Sequence, residues 1–255
     1  MSKRLVFLGT GTSQGVPMIG CNCDVCRSDD PRDKRLRASV YVEYEGLKIL
    51  VDAGPDFRQQ MLREGISSVD AILLTHNHKD HTGGLDDIRA FNYHEKKATD
   101  IYCEKYVEDS LRQEFSYAFA EVKYPGAPEW NVHIIDNNPF YINNVKITPI
   151  RGKHYKLPVL GYRFGNIAYC TDMNHIPEEE FEKLEGLDHF IINCVRRGRH
   201  ISHYSLEGAL AVAERVGARH TWLTHLSHQL PKYTELLEEL PEGVKPAYDG
   251  LVLTV

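Results

Sequence analysis

His76-Asn77-His78-Lys79-Asp80-His81 places four metal-capable side chains within six residues. The run follows the apolar segment Ile72-Leu73-Leu74-Thr75 and precedes Thr82-Gly83-Gly84. Side chains alternate along an extended segment, so His76 and His78 face one side, while Asp80 and His81 lie where the chain turns and can face a second ion. Imidazole and carboxylate donors together suit Zn²⁺, Mn²⁺ or Fe²⁺ at a site with open positions. A second concentration lies near the start, at Cys21, Cys23 and Cys26. Metal binding reads better there than a disulfide framework, because Cys103, Cys170 and Cys194 are scattered through apolar runs as small core residues.

Such side chains need strands that end where the chemistry begins. Lys3–Leu8 is a short apolar run entering Gly9-Thr10-Gly11, and Ala38–Glu45 with Leu47–Val51 reads as a hairpin around Glu45-Gly46. Asp56–Glu64 is predicted as a helix stopped by Gly65, Val69–Thr75 as a buried strand, and Leu85, Ile88 and Phe91 as one face of the next helix. The second half predicts a meander over Asn131–Asp136, Phe140–Ile142, Val145–Ile150, Val159–Phe164 and Asn166–Thr171. A helix near Pro177–Leu184, a strand over Phe190–Val195, a helix capped by Ser205, a strand over Thr221–Thr224, a helix after Pro231 and a strand over Leu251–Val255 complete it. Ile72-Leu73-Leu74-Thr75-His76 and Thr221-Trp222-Leu223-Thr224-His225 echo one another, each an apolar strand delivering a Thr-His pair.

The 255 residues carry a formal net charge of −6 and 42% hydrophobic residues, ordinary for a soluble globular protein. The acidic balance argues against a broad grip on nucleic acid or anionic membrane, though a local positive pocket is allowed. No run approaches the ~18–20 apolar residues of a membrane span, and the opening apolar run is shorter than a secretory core, so a cytoplasmic location is expected.

With its His-x-His-x-Asp-His loop after a strand, the sequence resembles the metallo-β-lactamase-fold hydrolases over most of its length. The resemblance implies an α/β, four-layer αββα sandwich of two mixed sheets with helices outside. Residues 1–255 would form one hydrolase domain with a dinuclear site where the sheets meet. By order and context the family's remaining positions match Asp52 (in Val51-Asp52-Ala53-Gly54), His154, Asp172 and His225. One Zn²⁺ or Mn²⁺ ion would sit on His76, His78 and His154, and a second on Asp80, His81 and His225, with Asp172 shared. Asp52 is expected to orient ligands rather than bind metal.

Within that superfamily, Leu8-Gly9-Thr10-Gly11-Thr12-Ser13, Gly15-Val16-Pro17 and Cys21-x-Cys23-x-x-Cys26 are similar to the cyclic phosphodiesterase branch, which includes the phosphoribosyl cyclic phosphate hydrolase of phosphonate breakdown. That likeness implies a structural zinc held by Cys21, Cys23, Cys26 and His228, a closed shell suited to stability rather than turnover. It also places a general acid at His203 in Arg199-His200-Ile201-Ser202-His203-Tyr204-Ser205, with His200 left to cap or hydrate the loop. Asp80 and His203 are then the side chains expected at the reaction. The implied activity is hydrolysis of a small, preferably cyclic, phosphodiester by a hydroxide bridging the ions. The Thr10–Gly15 loop is a candidate phosphate cradle, and Phe115, Tyr117, Phe119, Tyr124 and Trp130 suggest a packed face or a subunit contact, so a homodimer is allowed.

Three rivals stand beside this reading. A tRNA 3′-end endonuclease would share the metal loop, but the −6 charge and the lack of a long Gly/Pro/Lys-rich insertion weigh against it. A thioester or lactam hydrolase would share the fold. A zinc-stabilised binding module would explain the cysteines and leave the His/Asp constellation without a purpose.

Overall fold

Alternation of apolar residues along strands with two buried faces decides the layering. The computed structural model describes residues 3–254, so the expected single domain is described there without Met1, Ser2 and Val255. The strands are β1 (Arg4–Gly9), β2 (Ser39–Tyr44), β3 (Leu47–Val51), β4 (Ala71–Leu73), β5 (Thr99–Cys103), β6 (Trp130–Ile134), β7 (Phe140–Ile142), β8 (Val145–His154), β9 (Leu157–Phe164), β10 (Ile167–Cys170), β11 (His189–Asn193), β12 (His220–Thr224), β13 (Val244–Pro246) and β14 (Val252–Thr254). They form two sheets, in the orders β14-β1-β2-β3-β4-β5-β6 and β13-β12-β11-β10-β9-β8-β7. The helices are α1 (Phe57–Glu64), α2 (Lys79–Thr82), α3 (Arg89–Glu95), α4 (Lys105–Glu114), α5 (Leu206–Val216) and α6 (Tyr233–Glu239).

Leu5, Phe7, Val40, Val42, Ile49 and Val51 point from the first sheet into a core shared with Ile147, Leu160, Tyr162, Tyr169 and Ile191 of the second. The intervening Val6, Leu8, Tyr41, Leu50 and Ile72 face the opposite way, against Phe57 and Met61 of α1 and Val107 and Leu111 of α4. On the far side, Val159, Ala168, Phe190 and Ile192 meet Leu206, Ala209 and Val212 of α5 and Leu236 of α6. Each fully buried Leu, Ile or Phe contributes about 1.5–3 kcal/mol, so the pattern locks both faces of both sheets at once. The outcome is the expected αββα sandwich.

The sheets share a plan. Antiparallel strands lead to β3 and parallel ones continue to β6; antiparallel strands lead to β10 and parallel ones continue to β13. On this plan β3 corresponds to β10, and just past their ends both place an acid in left-handed backbone, Asp52 (φ 64) and Asp172 (φ 57). The two Thr-His strands do not occupy matching places in this plan, since β4 is the first parallel strand after β3 and β12 the second after β10.

Several expected elements shift. The segment predicted to open the meander is β6, which pairs in parallel with β5 in the first sheet, while the true meander starts at β7. Val69–Thr75 shortens to β4, and Pro177–Leu184 is a 3₁₀ helix over Glu178–Leu184. In the predicted aromatic face, Phe115 and Phe119 pack edge-on against Trp130, whereas Tyr124 is exposed. No helix among the described residues is long and apolar enough to cross a membrane.

Candidate metal centre and active site

The site is assembled from strand ends. His76 and His78 follow β4, His81 lies in α2, His154 closes β8, and His225 follows β12 with a left-handed backbone (φ 55). Left-handed backbone at a non-glycine residue costs on the order of 1–3 kcal/mol, so Asp52, Asp172 and His225 are held in place by their surroundings. Gly54 lets the metal loop dock closely, because a Cβ there would lie 2.0 Å from the Asp80 carbonyl oxygen. The same approach lets Ala53 N–H donate to the His81 carbonyl at 2.8 Å.

Neighbouring groups fix the histidine tautomers. Thr75 donates its hydroxyl to Asp52 Oδ2 (2.8 Å), so that hydroxyl can only accept from His76 Nδ1 at 2.9 Å. The Ser202 carbonyl accepts from His154 Nδ1 (2.8 Å), and Asp52 Oδ2 accepts from His81 Nδ1 (2.7 Å). Each of these rings therefore holds a proton on its anchored nitrogen and turns Nε2 toward the cavity. His76 Nε2 comes within 3.0 Å of His78 Nδ1, and His81 Nε2 lies 3.2 Å from Asp80 and 3.3 Å from Asp172. Asp172 Oδ2 lies 3.2 Å from His225 Nε2 and 3.9 Å from His203 Nδ1.

Donor atoms of His76, His78 and His154 lie within 4.8 Å of one another, as do those of Asp80, His81, Asp172 and His225, and those of His154, Asp172 and His203. The structure thus brings together both expected ligand sets and puts Asp172 between them. Asp52 lies behind His81, in the orienting position. His203 stacks on His225 with ring centroids 4.7 Å apart, whereas His200 turns its Nδ1 to the Ser202 backbone N–H.

The electrostatics suit cations. Burial presses His225 downward, yet Asp172 and Asp80 lift it to about 9. The same burial is overturned at His81, which Asp172, Asp80 and Asp52 raise well above the ordinary histidine range. Burial pushes Asp172 and Asp80 upward, and the neighbouring His81 and His225 carry both well below the usual carboxylate range. Buried carboxylates that hold protons on adjacent rings so firmly would bind divalent ions in their place. His81 Nε2 and both ring nitrogens of His225 are buried without a hydrogen-bond partner among the described residues. Donor types, orientation and orphaned nitrogens all fit a metal pair.

The cysteine set also converges. Cys21 and Cys23 place Sγ 3.3 and 3.4 Å from His228 Nδ1, and the four donor atoms of Cys21, Cys23, Cys26 and His228 lie within 4.8 Å of one another. Cys103, Cys170 and Cys194 are buried in the apolar layers, where desolvation raises each thiol and keeps it inert. In the Thr10–Gly15 loop the N–H groups of Thr10, Gly11 and Gly15 already bond Asp249, Leu36 and Thr12, so these three are not available to a phosphate. Sequence reasoning passed over Thr75, Ser202 and Asn174 as orienting groups. Thr75 was visible beside His76, but the Ser202 carbonyl carries no side-chain signal.

Residues 48–226 match the family model of the beta-lactamase superfamily domain. The chain also aligns with a solved diphosphatase of the PhnP family at 40% identity and a TM-score of 0.93, covering 99% of this chain and 97% of that one. The chain belongs to the beta-lactamase superfamily and, within it, to the PhnP family. It has the metallo-β-lactamase fold, a fold that implies divalent metal. It is 44% identical over 251 residues to an octanoyltransferase of Porphyromonas gingivalis, covering 97% of this chain and 51% of that protein, so it spans about half of that relative's length. Coenzyme PQQ synthesis protein B of Pseudomonas putida is 24% identical, covering 97% of this chain and 98% of that protein.

Proposed function

We propose that this protein is a metal-dependent phosphodiesterase that hydrolyses a small ester, cyclic or diphosphate-linked, in the cytoplasm. Residues 1–255 are read as one hydrolase domain stapled by its cysteine loop. The observation that carries the reading is Asp172, whose carboxylate faces both ligand sets. His76, His78 and His154 would hold one ion, Asp80, His81 and His225 the other, with Asp172 shared, and Zn²⁺ or Mn²⁺ suits both. When bound, such a pair neutralises charge developing on phosphoryl oxygens and keeps the ester in line for attack.

The chain's own residues do the rest. Asp52 and Thr75 fix the ring orientations, so no reorganisation is needed during turnover. His203 faces the same cavity and supplies a proton to the leaving oxygen. Burial lowers His203 to about 3, with Asp172 opposing only in part. An anionic ester beside the ring raises its affinity for the proton it must deliver. The PhnP-family diphosphatase supports phosphoester chemistry. The octanoyltransferase name belongs to a protein of which this chain matches only half, so it does not favour acyl transfer here.

The test is turnover of the Zn²⁺- or Mn²⁺-loaded protein on bis-(p-nitrophenyl) phosphate, a ribose cyclic phosphate, a dinucleoside diphosphate, an acyl thioester and a precursor tRNA. Hydrolysis of the small phosphoesters is expected. Turnover of the thioester or the tRNA alone overturns the reading.

A further inference from the structure

The mouth of the site is framed by two loops. One is the β8–β9 hairpin tip, where His154 pairs with Leu157 and leaves only Tyr155-Lys156 to make the turn. The other runs from Arg196 to His203 and is closed at its base by Val195 N–H donating to the Tyr204 carbonyl at 3.1 Å. Asn174 ties them together, its Oδ1 accepting from Tyr155 N–H and its Nδ2 donating to the Ile201 carbonyl, both at 3.0 Å. Two hollows flank this tie, one reaching His78 and His154 and the other reaching His203.

Two features of the mouth serve neither the fold nor the metal ligands. Tyr155 has left-handed backbone (φ 57) at a tip where Asn or Gly would be unstrained, yet the residue is 51% exposed, with the Lys156 ammonium 5.4 Å from its ring centroid. Beside it, Ile201 is 65% exposed. The second feature is charge. Lys156, Arg196 and Arg199 line the hollows, none of them pairs with a carboxylate among the described residues, and no Asp or Glu lines either hollow. Arg196 curls back to the Gly198 and Arg199 carbonyls, which presents the Arg199 segment as a shaped rim. In a chain of net charge −6, this is a local positive funnel.

We infer that the mouth is a substrate subsite for a second phosphate carrying a planar ring: Lys156 and Arg199 take the phosphate and Tyr155 stacks on the ring. The preferred substrate class is then a nucleotide joined through a diphosphate. This rests on the phosphodiesterase reading and adds what selects the ester. Guanidinium and ammonium groups supply the anion contacts, and stacking on an aromatic side chain is worth ~1–3 kcal/mol per base.

The experiment compares kcat/KM for diadenosine diphosphate with that for bis-(p-nitrophenyl) phosphate in wild type, Tyr155→Ala, Tyr155→Phe and Lys156→Ala/Arg199→Ala. The ratio is expected to fall tenfold or more in the alanine variants, through KM, and to be restored in Tyr155→Phe. A parallel fall on both substrates, or an unchanged ratio, overturns the subsite. A second arm, calorimetric binding of ADP to the metal-free proteins, separates this inference from the reading beneath it. If no phosphoester is turned over, yet ADP binds wild type and not the variants, the subsite stands and the reaction assignment falls. Equal ADP binding by all the proteins removes the subsite whatever the reaction.

Discussion

The cysteine cluster and the His/Asp cluster sit three residues apart along the chain at His228 and His225, yet they are built in opposite ways. Cys21, Cys23 and His228 are half-buried, all four donors lie on loops, and no carboxylate joins them. Asp80, His81, Asp172 and His225 are recessed, come from both sheets, and include two carboxylates. Three sulfurs and one nitrogen close a tetrahedron and leave nowhere for substrate. With His76, His78 and His154 the His/Asp cluster offers seven donors to two ions, fewer than two closed tetrahedra need, which leaves positions for chemistry. Between them, Leu226 N–H bonds the Thr10 carbonyl at 2.8 Å and the Ser227 hydroxyl bonds the Val195 carbonyl at 2.6 Å. Cys21 and Cys23, with Sγ 3.3 and 3.4 Å from His228 Nδ1, meet the far end of the same segment.

The sharpest way to break this contrast is Asp172→Ala. Loss of a carboxylate facing both ligand sets is expected to cost ~4 kcal/mol or more at the transition state, about 10³-fold in kcat, while far-UV circular dichroism stays native. Near-normal turnover would place the shared ligand elsewhere.

His203→Ala tests whether the open positions support proton transfer. A positioned acid typically contributes ~10²–10⁴-fold when the leaving group is a poor one. The variant is expected to lose that factor on a cyclic or alkyl phosphodiester and little on p-nitrophenyl esters. Equal losses on both would assign His203 to binding.

The other side of the comparison is addressed by the Cys21→Ser/Cys23→Ser double variant. It is expected to lose one ion per chain by metal analysis and to lower Tm by on the order of 10 °C, with a smaller loss of kcat. Full metal content in this variant would remove the structural-zinc assignment.

The smallest effect is internal to the cysteine cluster. A hydrogen bond from the Cys26 backbone N–H, aided by His228, lowers Cys23 to about 6, whereas burial raises Cys26 to about 11. A lowered thiol is already a thiolate at neutral pH and a raised one is not. In metal-stripped protein at pH 7, iodoacetamide should therefore modify Cys23 before Cys26 by mass spectrometry, and added Zn²⁺ should protect both. The reverse order would contradict these environments.

The sandwich and the metal loop were legible because their signals are local. Continuous apolar runs such as Leu5–Leu8 and Ile49–Val51 report burial on both faces directly, and His76–His81 is contiguous. The sheet membership of β6 was not legible, because its parallel pairing with β5 depends on a crossover through α4, not on its own residues. Thr99–Cys103 was passed over because Asp100 and Tyr102 dilute its apolar face. The left-handed residues were invisible for a related reason: Asp52, Asp172 and His225 carry no Gly or Asn signal, and tertiary contacts impose the conformation. His154 could be named only by its order in the chain, since its orientation depends on the Ser202 carbonyl across the site.

Those left-handed strand ends bear on how the protein responds to engineering. At positions 172 and 225 glycine would relieve an uncomfortable backbone, but Asp172 and His225 face each other at 3.2 Å in the buried site, so replacing one alone strands the other's charge. A library screened only for heat resistance in the presence of a chelator would therefore reach glycine at both positions together rather than singly, and return proteins that have lost their catalyst. A library screened with metal present would not, because the ions reward the strained residues. The selection medium, more than the mutagenesis, would determine whether activity survives.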